Sequence, residues 1–133
     1  MDIETLQNNL PGLPKFLGMV LTHVERDRLV AEITVRPEHC TEFDTIHGGA
    51  IMAYADTMGA IATMVNLRDR QTTTTIESKT NFFAATPTGS KLIAETVPLH
   101  RGRRTHVWET RLLHENGRLS AKVTQTQMVI DLS

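Results

Sequence analysis

Apolar residues recur along this chain with two periods, and the switch between them divides it into elements. From Gly48 to Leu67, Ile51, Ala55, Met58, Ala62 and Val65 return at spacings of four and three, as on one face of an α-helix. Upstream, Arg28 to Arg36 alternates Leu29, Ala31, Ile33 and Val35 with Val30, Glu32, Thr34 and Arg36, the period of a half-buried strand. Leu17 to Glu25 reads as its partner strand, with Asp27 in the turn between them. Downstream, Thr72–Phe83, Lys91–His100, Arg103–Glu115 and Arg118–Leu132 are rich in Thr, Val, Ile and aromatic residues, and Pro87–Gly89, Gly102 and Asn116-Gly117 separate them. The Asn116-Gly117 pair predicts a two-residue type I′ hairpin, in which both central residues take positive φ. Residues 2–10 predict a short amphipathic helix through Ile3, Leu6 and Leu10, stopped by Pro11, Gly12 and Pro14.

Two strands, one long helix and four strands in 133 residues predict a single α+β domain over 1–133, an antiparallel sheet with the helix laid on one face. The helix is apolar almost all round, so a second subunit is expected against the side that the sheet leaves free.

Charge and composition mostly exclude. Lys plus Arg number 14 against 15 Asp plus Glu, so no net field recruits nucleic acid or an anionic membrane. The single cysteine, Cys40, cannot form an intrachain disulfide, and no CxxC, HExxH or phosphate-binding glycine loop is present, so no metal site is expected. The N-terminus MDIETLQNNL lacks the basic and apolar regions of a signal peptide, which makes a cytoplasmic location the expectation. Thr45 to Leu67 is long enough to raise a membrane span, but it holds His47, Tyr54, Asp56 and Asn66. A mid-bilayer Asp alone costs about 2.5 to 3.5 kcal/mol, so a buried helix explains the pattern better.

Asp56 is the only formally charged side chain between Thr45 and Leu67. Desolvation penalises an ionised carboxylate that has no partner, so a lone Asp in such a helix belongs at a cleft where its charge is used.

The run His47-Gly48-Gly49 with Asp56 nine positions after the histidine, in this order of elements, resembles the hotdog-fold acyl-CoA thioesterases of the phenylacetate-pathway and 4-hydroxybenzoyl-CoA type. The resemblance covers nearly the whole chain, and the segment TTTTIESKTNFFAATPTG after the helix and the RGRR turn add to it. It implies a hotdog fold, a long central helix packed on a curved antiparallel sheet, and hydrolysis of an acyl- or aryl-CoA thioester to a carboxylic acid and coenzyme A. It also implies no separate cofactor, coenzyme A being part of the substrate, and self-association into homodimers and on to a homotetramer.

Residue by residue, the resemblance implies that Asp56 is the catalytic carboxylate, as nucleophile or as general base, and that the Gly48 backbone N–H polarises the thioester oxygen from the partner subunit. A helix N-terminus suits that second role, because it offers unpaired donors and positive potential. His47 would flank the oxyanion site, although from the residues alone it serves equally as a local contact at the start of the helix. Thr41 stands where many relatives carry Asn, and Asp44 where relatives often have glycine. Thr75 matches a hydroxyl near the attacking water; its plain reading is a strand threonine. Phe82 aligns with the acyl pocket, against the alternative of core packing, and Met52, Met58 and Met64 offer an adaptable lining, against core packing as the default by helical spacing. Arg101, Gly102, Arg103 and Arg104 form the one basic cluster, suited to the phosphates of coenzyme A or simply solvated at a hairpin tip. The competing function is a non-catalytic acyl-CoA-binding hotdog module, disfavoured because binding alone needs no carboxylate at position 56.

Overall fold

The computed structural model describes residues 1–133 and contains three helices and six strands. Helix α1 (Ile3–Asn8) is capped by Asp2, whose Oδ1 accepts from the Thr5 N–H at 2.8 Å. A second short helix, α2 (Gly12–Leu17), follows, where the sequence pattern predicts only a stop and then a strand from Leu17. Pro11 and Pro14 permit it because they fall at the cap and in the first turn, where a helix has no use for the missing N–H. Gly18, at φ 72°, ends α2 in the left-handed conformation, and the strand begins only at Val20.

Strands β1 (Val20–Glu25) and β2 (Arg28–Thr34) form a hairpin, and a 3₁₀ turn at Pro37–His39 leads through a loop into α3 (Gly48–Asn66). Four strands complete the chain: β3 (Gln71–Phe82), β4 (Lys91–Arg101), β5 (Thr105–His114) and β6 (Leu119–Asp131). They form one antiparallel sheet in the order β1-β2-β4-β5-β6-β3. The ladder is interrupted between Leu21 and His23, Thr75 and Glu77, Pro98 and His100, and Leu112 and Leu113, and such bulges bend a sheet.

The loop between β5 and β6 differs from the type I′ expectation. The Gly117 N–H donates to His114 O at 2.9 Å, and of the pair only Gly117 (φ 88°) takes positive φ. The result is a three-residue loop with glycine in the left-handed position, while the Asn116 side chain accepts from the Arg118 N–H at 2.9 Å.

Helix α3 packs against β2 through β6, and the core lies between them. Ile51, Tyr54, Ala55, Met58 and Ala62 face Leu29, Ala31, Ile33, Leu92, Ala94, Trp108, Leu112, Ala121 and Val123, all buried. The two polar aromatics there are satisfied: Tyr54 Oη donates to Leu92 O at 3.1 Å, and Trp108 Nε1 donates to Thr63 Oγ1 at 2.8 Å. Leu6 of α1, Leu17 of α2 and Leu10 in the link between them join the same core. Two features remain uncovered. Strand β3 is an unpaired edge of twelve residues, and Met52 and Met64 of α3 are 40% and 39% exposed.

Candidate active site

The N-terminus of α3 is open for hydrogen bonding. His47 caps the helix, and its Nδ1 accepts from the Gly49 N–H at 2.7 Å. That bond makes Nδ1 an acceptor, so in the neutral ring Nε2 carries the proton. The next backbone donors also find acceptors, since the Ala50 and Ile51 N–H groups reach His47 O. The Gly48 N–H meets no acceptor in the chain, which leaves it free for an incoming oxygen at the positive end of the helix dipole. The Phe82 ring stands over this residue: a Cβ at position 48 would sit 3.2 Å from it. Phe82 and Gly48 share a cavity of about 330 Å³ with Ile46, Ile51 and Phe83.

Asp56 sits two turns further along α3, half-buried. Its Oδ1 accepts from Thr75 Oγ1 of β3 at 2.6 Å, and no bond engages Oδ2. The carboxylate lies on the wall of a separate apolar cavity of about 420 Å³ between α3 and the two short helices, lined among others by Leu6, Leu10, Pro14, Ile61 and Met64. Of the three helix methionines, Met58 is core as its spacing predicts, Met64 lines this cavity, and Met52 is exposed.

Eight residues at 1.5 Å each separate Gly48 from Asp56 along the helix, about 12 Å. Both are on one element and cannot reach a common carbonyl within one chain.

Thr41 lies in the loop closed by the Cys40–Ile46 bridge, where its hydroxyl is 3.4 Å from that of Thr45 and accepts from the Phe43 N–H at 3.3 Å. None of these contacts reaches Gly48 or Asp56. Asp44 takes φ 56°, the left-handed region that glycine enters freely and Asp tolerates.

The arginine cluster is divided. Arg101 Nη1 donates to Arg26 O at 3.0 Å and so braces the end of the β1–β2 hairpin, whereas Arg103 and Arg104 are exposed. Arg101, Gly102 and Arg103 line a hollow of about 360 Å³ with Arg68, Gln71, His106 and Asn66, the last residue of α3. Burial, and then the nearby Arg101 cation, hold His106 below its usual value of 6.5.

Two residues without a role in the sequence analysis lie behind Thr75, the hydrogen-bond partner of Asp56. Gln125 and Gln127 on β6 are 1% and 0% exposed, and Gln127 Nε2 donates to Thr75 Oγ1 at 2.6 Å. The signal is present in the sequence: positions 121, 123, 125 and 127 share the inward face of β6, and the last two carry amides where apolar residues are the default.

A long helix cradled by one antiparallel sheet is the layout of the hotdog fold. Residues 43–121 match the thioesterase superfamily, and the chain belongs to that family. The proofreading thioesterase EntH of Cronobacter sakazakii is 32% identical over 119 residues, covering 89% of this chain and 86% of that protein. The crystal structure of a thioesterase from Haemophilus influenzae superposes with a TM-score of 0.92 at 26% identity, covering 99% of this chain and 92% of that one. The PaaI protein of the Escherichia coli phenylacetic acid degradation operon shares the fold, with a TM-score of 0.86 at 19% identity over 98% of this chain and 93% of its own.

Proposed function

We propose that this thioesterase hydrolyses acyl- or aryl-CoA thioesters, with Asp56 of one subunit and the Gly48 N–H of another meeting at each thioester. The carrying observation is the pair of open groups on one helix: a carboxylate with a free Oδ2 and a backbone donor with no acceptor, about 12 Å apart. Asp56 either attacks the carbonyl carbon, expelling the coenzyme A thiolate to leave a mixed anhydride that water opens, or takes a proton from the water that attacks, the thiolate leaving as the carbonyl re-forms; in both the negative charge that develops on the oxygen is met by Gly48.

The surfaces that a second copy needs are next to these groups. Strand β3 is an edge of the sheet with one side of its backbone unpaired, and it ends at Phe82 beside Gly48. Ile76 and Phe82 on that strand are 56% and 52% exposed. Two copies related by a two-fold axis, with their α3 helices antiparallel, bring each Gly48 to the other chain's Asp56 and give two equivalent sites.

The apolar cavity at Asp56 suits an apolar acyl group, aliphatic or unsubstituted aryl, better than Phe82 alone does. Arg103, with Arg104 beside it, suits the phosphates of coenzyme A, because Asn66 at the rim of the basic hollow is ten residues, about 15 Å, along α3 from Asp56.

A free-thiol release assay on a panel of CoA esters tests this reading, with Asp56→Asn as the control. The wild type is expected to turn over the apolar esters, and Asp56→Asn to lose at least roughly a hundredfold in kcat while melting like the parent. Near-normal turnover by that variant would remove Asp56 from the chemistry.

A further inference from the structure

Gln125 and Gln127 lie behind Thr75 and the Ala55 turn of α3, and the bonds between them run in one direction only. Ala55 O belongs to the helix turn that carries Asp56, and it accepts from Gln125 Nε2 at 2.7 Å. A carbonyl can only accept, so this contact fixes the orientation of the Gln125 amide and turns its Oε1 toward Gln127. Gln127 must then present Nε2, which donates to Gln125 Oε1 at 2.6 Å and to Thr75 Oγ1 at 2.6 Å. Its own Oε1 lies 3.0 Å from Thr73 Oγ1, whose one proton it shares with Met128 O at 2.9 Å. Reversing either amide sets oxygen against oxygen, at Ala55 or between the two glutamines. Because Thr75 Oγ1 already accepts the hydrogen bond from Gln127 Nε2, its own hydroxyl proton is left for Asp56 Oδ1 at 2.6 Å.

We propose that Gln125 and Gln127 are positioning residues: an amide chain, anchored on the Ala55 carbonyl, that commits the Thr75 hydroxyl to donating to Asp56 Oδ1 and leaves Oδ2 aimed at the substrate. Neither glutamine touches substrate. They act through Thr75, and the inference rests on Asp56 being the catalytic carboxylate. Burying two amides is costly unless nearly every donor and acceptor is used, and here the cost goes into a network that ends on the reacting group. Gly59 makes room for it, since a Cβ there would overlap the Gln125 amide.

The test is a double-mutant cycle on the full chain, with kcat and KM measured on one CoA ester that the wild type turns over. Gln127→Met keeps the length of the side chain and removes its donors; kcat is expected to fall about tenfold with KM little changed, and Thr75→Val to do the same. The double variant should then fall no further than Thr75→Val alone, because Gln127 has nothing left to orient. Thr75→Ser, which keeps the hydroxyl, should restore most of the activity lost in Thr75→Val. Gln127→Glu should lose more than Gln127→Met, since its carboxylate competes with Asp56 for the Thr75 proton. Wild-type kcat in folded Gln127→Met, or losses that simply add in the double variant, would overturn the proposal. If the Gln127 variants do not fold, the half-buried Thr75 decides it: full kcat in Thr75→Val is equally fatal. An active Asp56→Asn would sink the reading of the site itself, whereas an inactive Asp56→Asn beside an unaffected Gln127→Met sinks only the amide chain.

Discussion

At the scale of single residues, a lone carboxylate in an apolar helix pointed to chemistry because the alternative is an unpaired buried charge. What the residue itself does not disclose is its partner: Thr75 is 19 positions away on another element. His106 makes the same point with opposite sign. It is buried, its Nδ1 finds no partner, and desolvation with the Arg101 cation favours the neutral ring. A base whose folded-state value is depressed is more easily protonated when unfolded, so its contribution to stability is complete above about 6.5 and is lost as the pH falls below that. The melting temperature is therefore expected to drop between pH 7 and pH 5, and His106→Gln to flatten that drop. Parallel slopes in differential scanning calorimetry of the two proteins would refute the assignment.

At the scale of elements, glycine and proline punctuate this chain differently from their local reading. Pro11 and Pro14 predict a stop, yet α2 forms around them because both occupy positions with no N–H to lose. Asn116-Gly117 predicts a two-residue turn, yet only Gly117 needs positive φ once the loop takes three residues. Gly59 lies in the interior of α3, where glycine costs about 1 kcal/mol relative to alanine. Its reason is on β6, since the Gln125 side chain fills the space of the absent Cβ. Gly59→Ala is thus expected to destabilise by about 1 to 3 kcal/mol through overpacking, despite the better helix propensity, and to lower kcat by displacing Gln125. Urea denaturation gives the sign directly, and a stabilised variant would contradict the close approach.

At the scale of the whole molecule, the proposed meeting of Gly48 and Asp56 at one thioester, with about 12 Å of helix between them in each chain, makes activity a property of the assembly. Asp56→Asn and Gly48→Pro are each expected to be inactive. The backbone accepts proline at 48, because this is the first helical residue and His47 has ψ 136°, the extended conformation that a following proline favours, and the exposed Phe82 ring has to give way slightly to the added Cβ. Refolded together in equal amounts, half the dimers are mixed and each holds one intact site of two, so about a quarter of wild-type activity should return. Mixed dimers shown to form and found inactive would end the shared-site reading. The basic hollow is tested on the same scale: Arg103→Ala with Arg104→Ala should raise KM for CoA esters and reduce its salt dependence, while thioesters lacking the nucleotide are unaffected. Equal losses on both substrates would assign these arginines to the fold.

The sequence by itself determined what is local. Hydrophobic period, strand propensity and turn residues predicted six strands and the long helix, position 56 stood out as the lone charge in that helix, and helical rise set its distance from Gly48. These follow because periodicity, φ preference and rise per residue are properties of neighbouring positions. Only the tertiary structure decided what faces those groups. That β3 stands beside β6 at the sheet edge, that Thr75 meets Asp56, and that Gln127 lies beneath Thr75 from 52 residues away depend on strand order and register. Two glutamines at alternate positions in a strand look the same in sequence whether solvated or buried; the sheet order, by turning that face toward α3, made them part of the site.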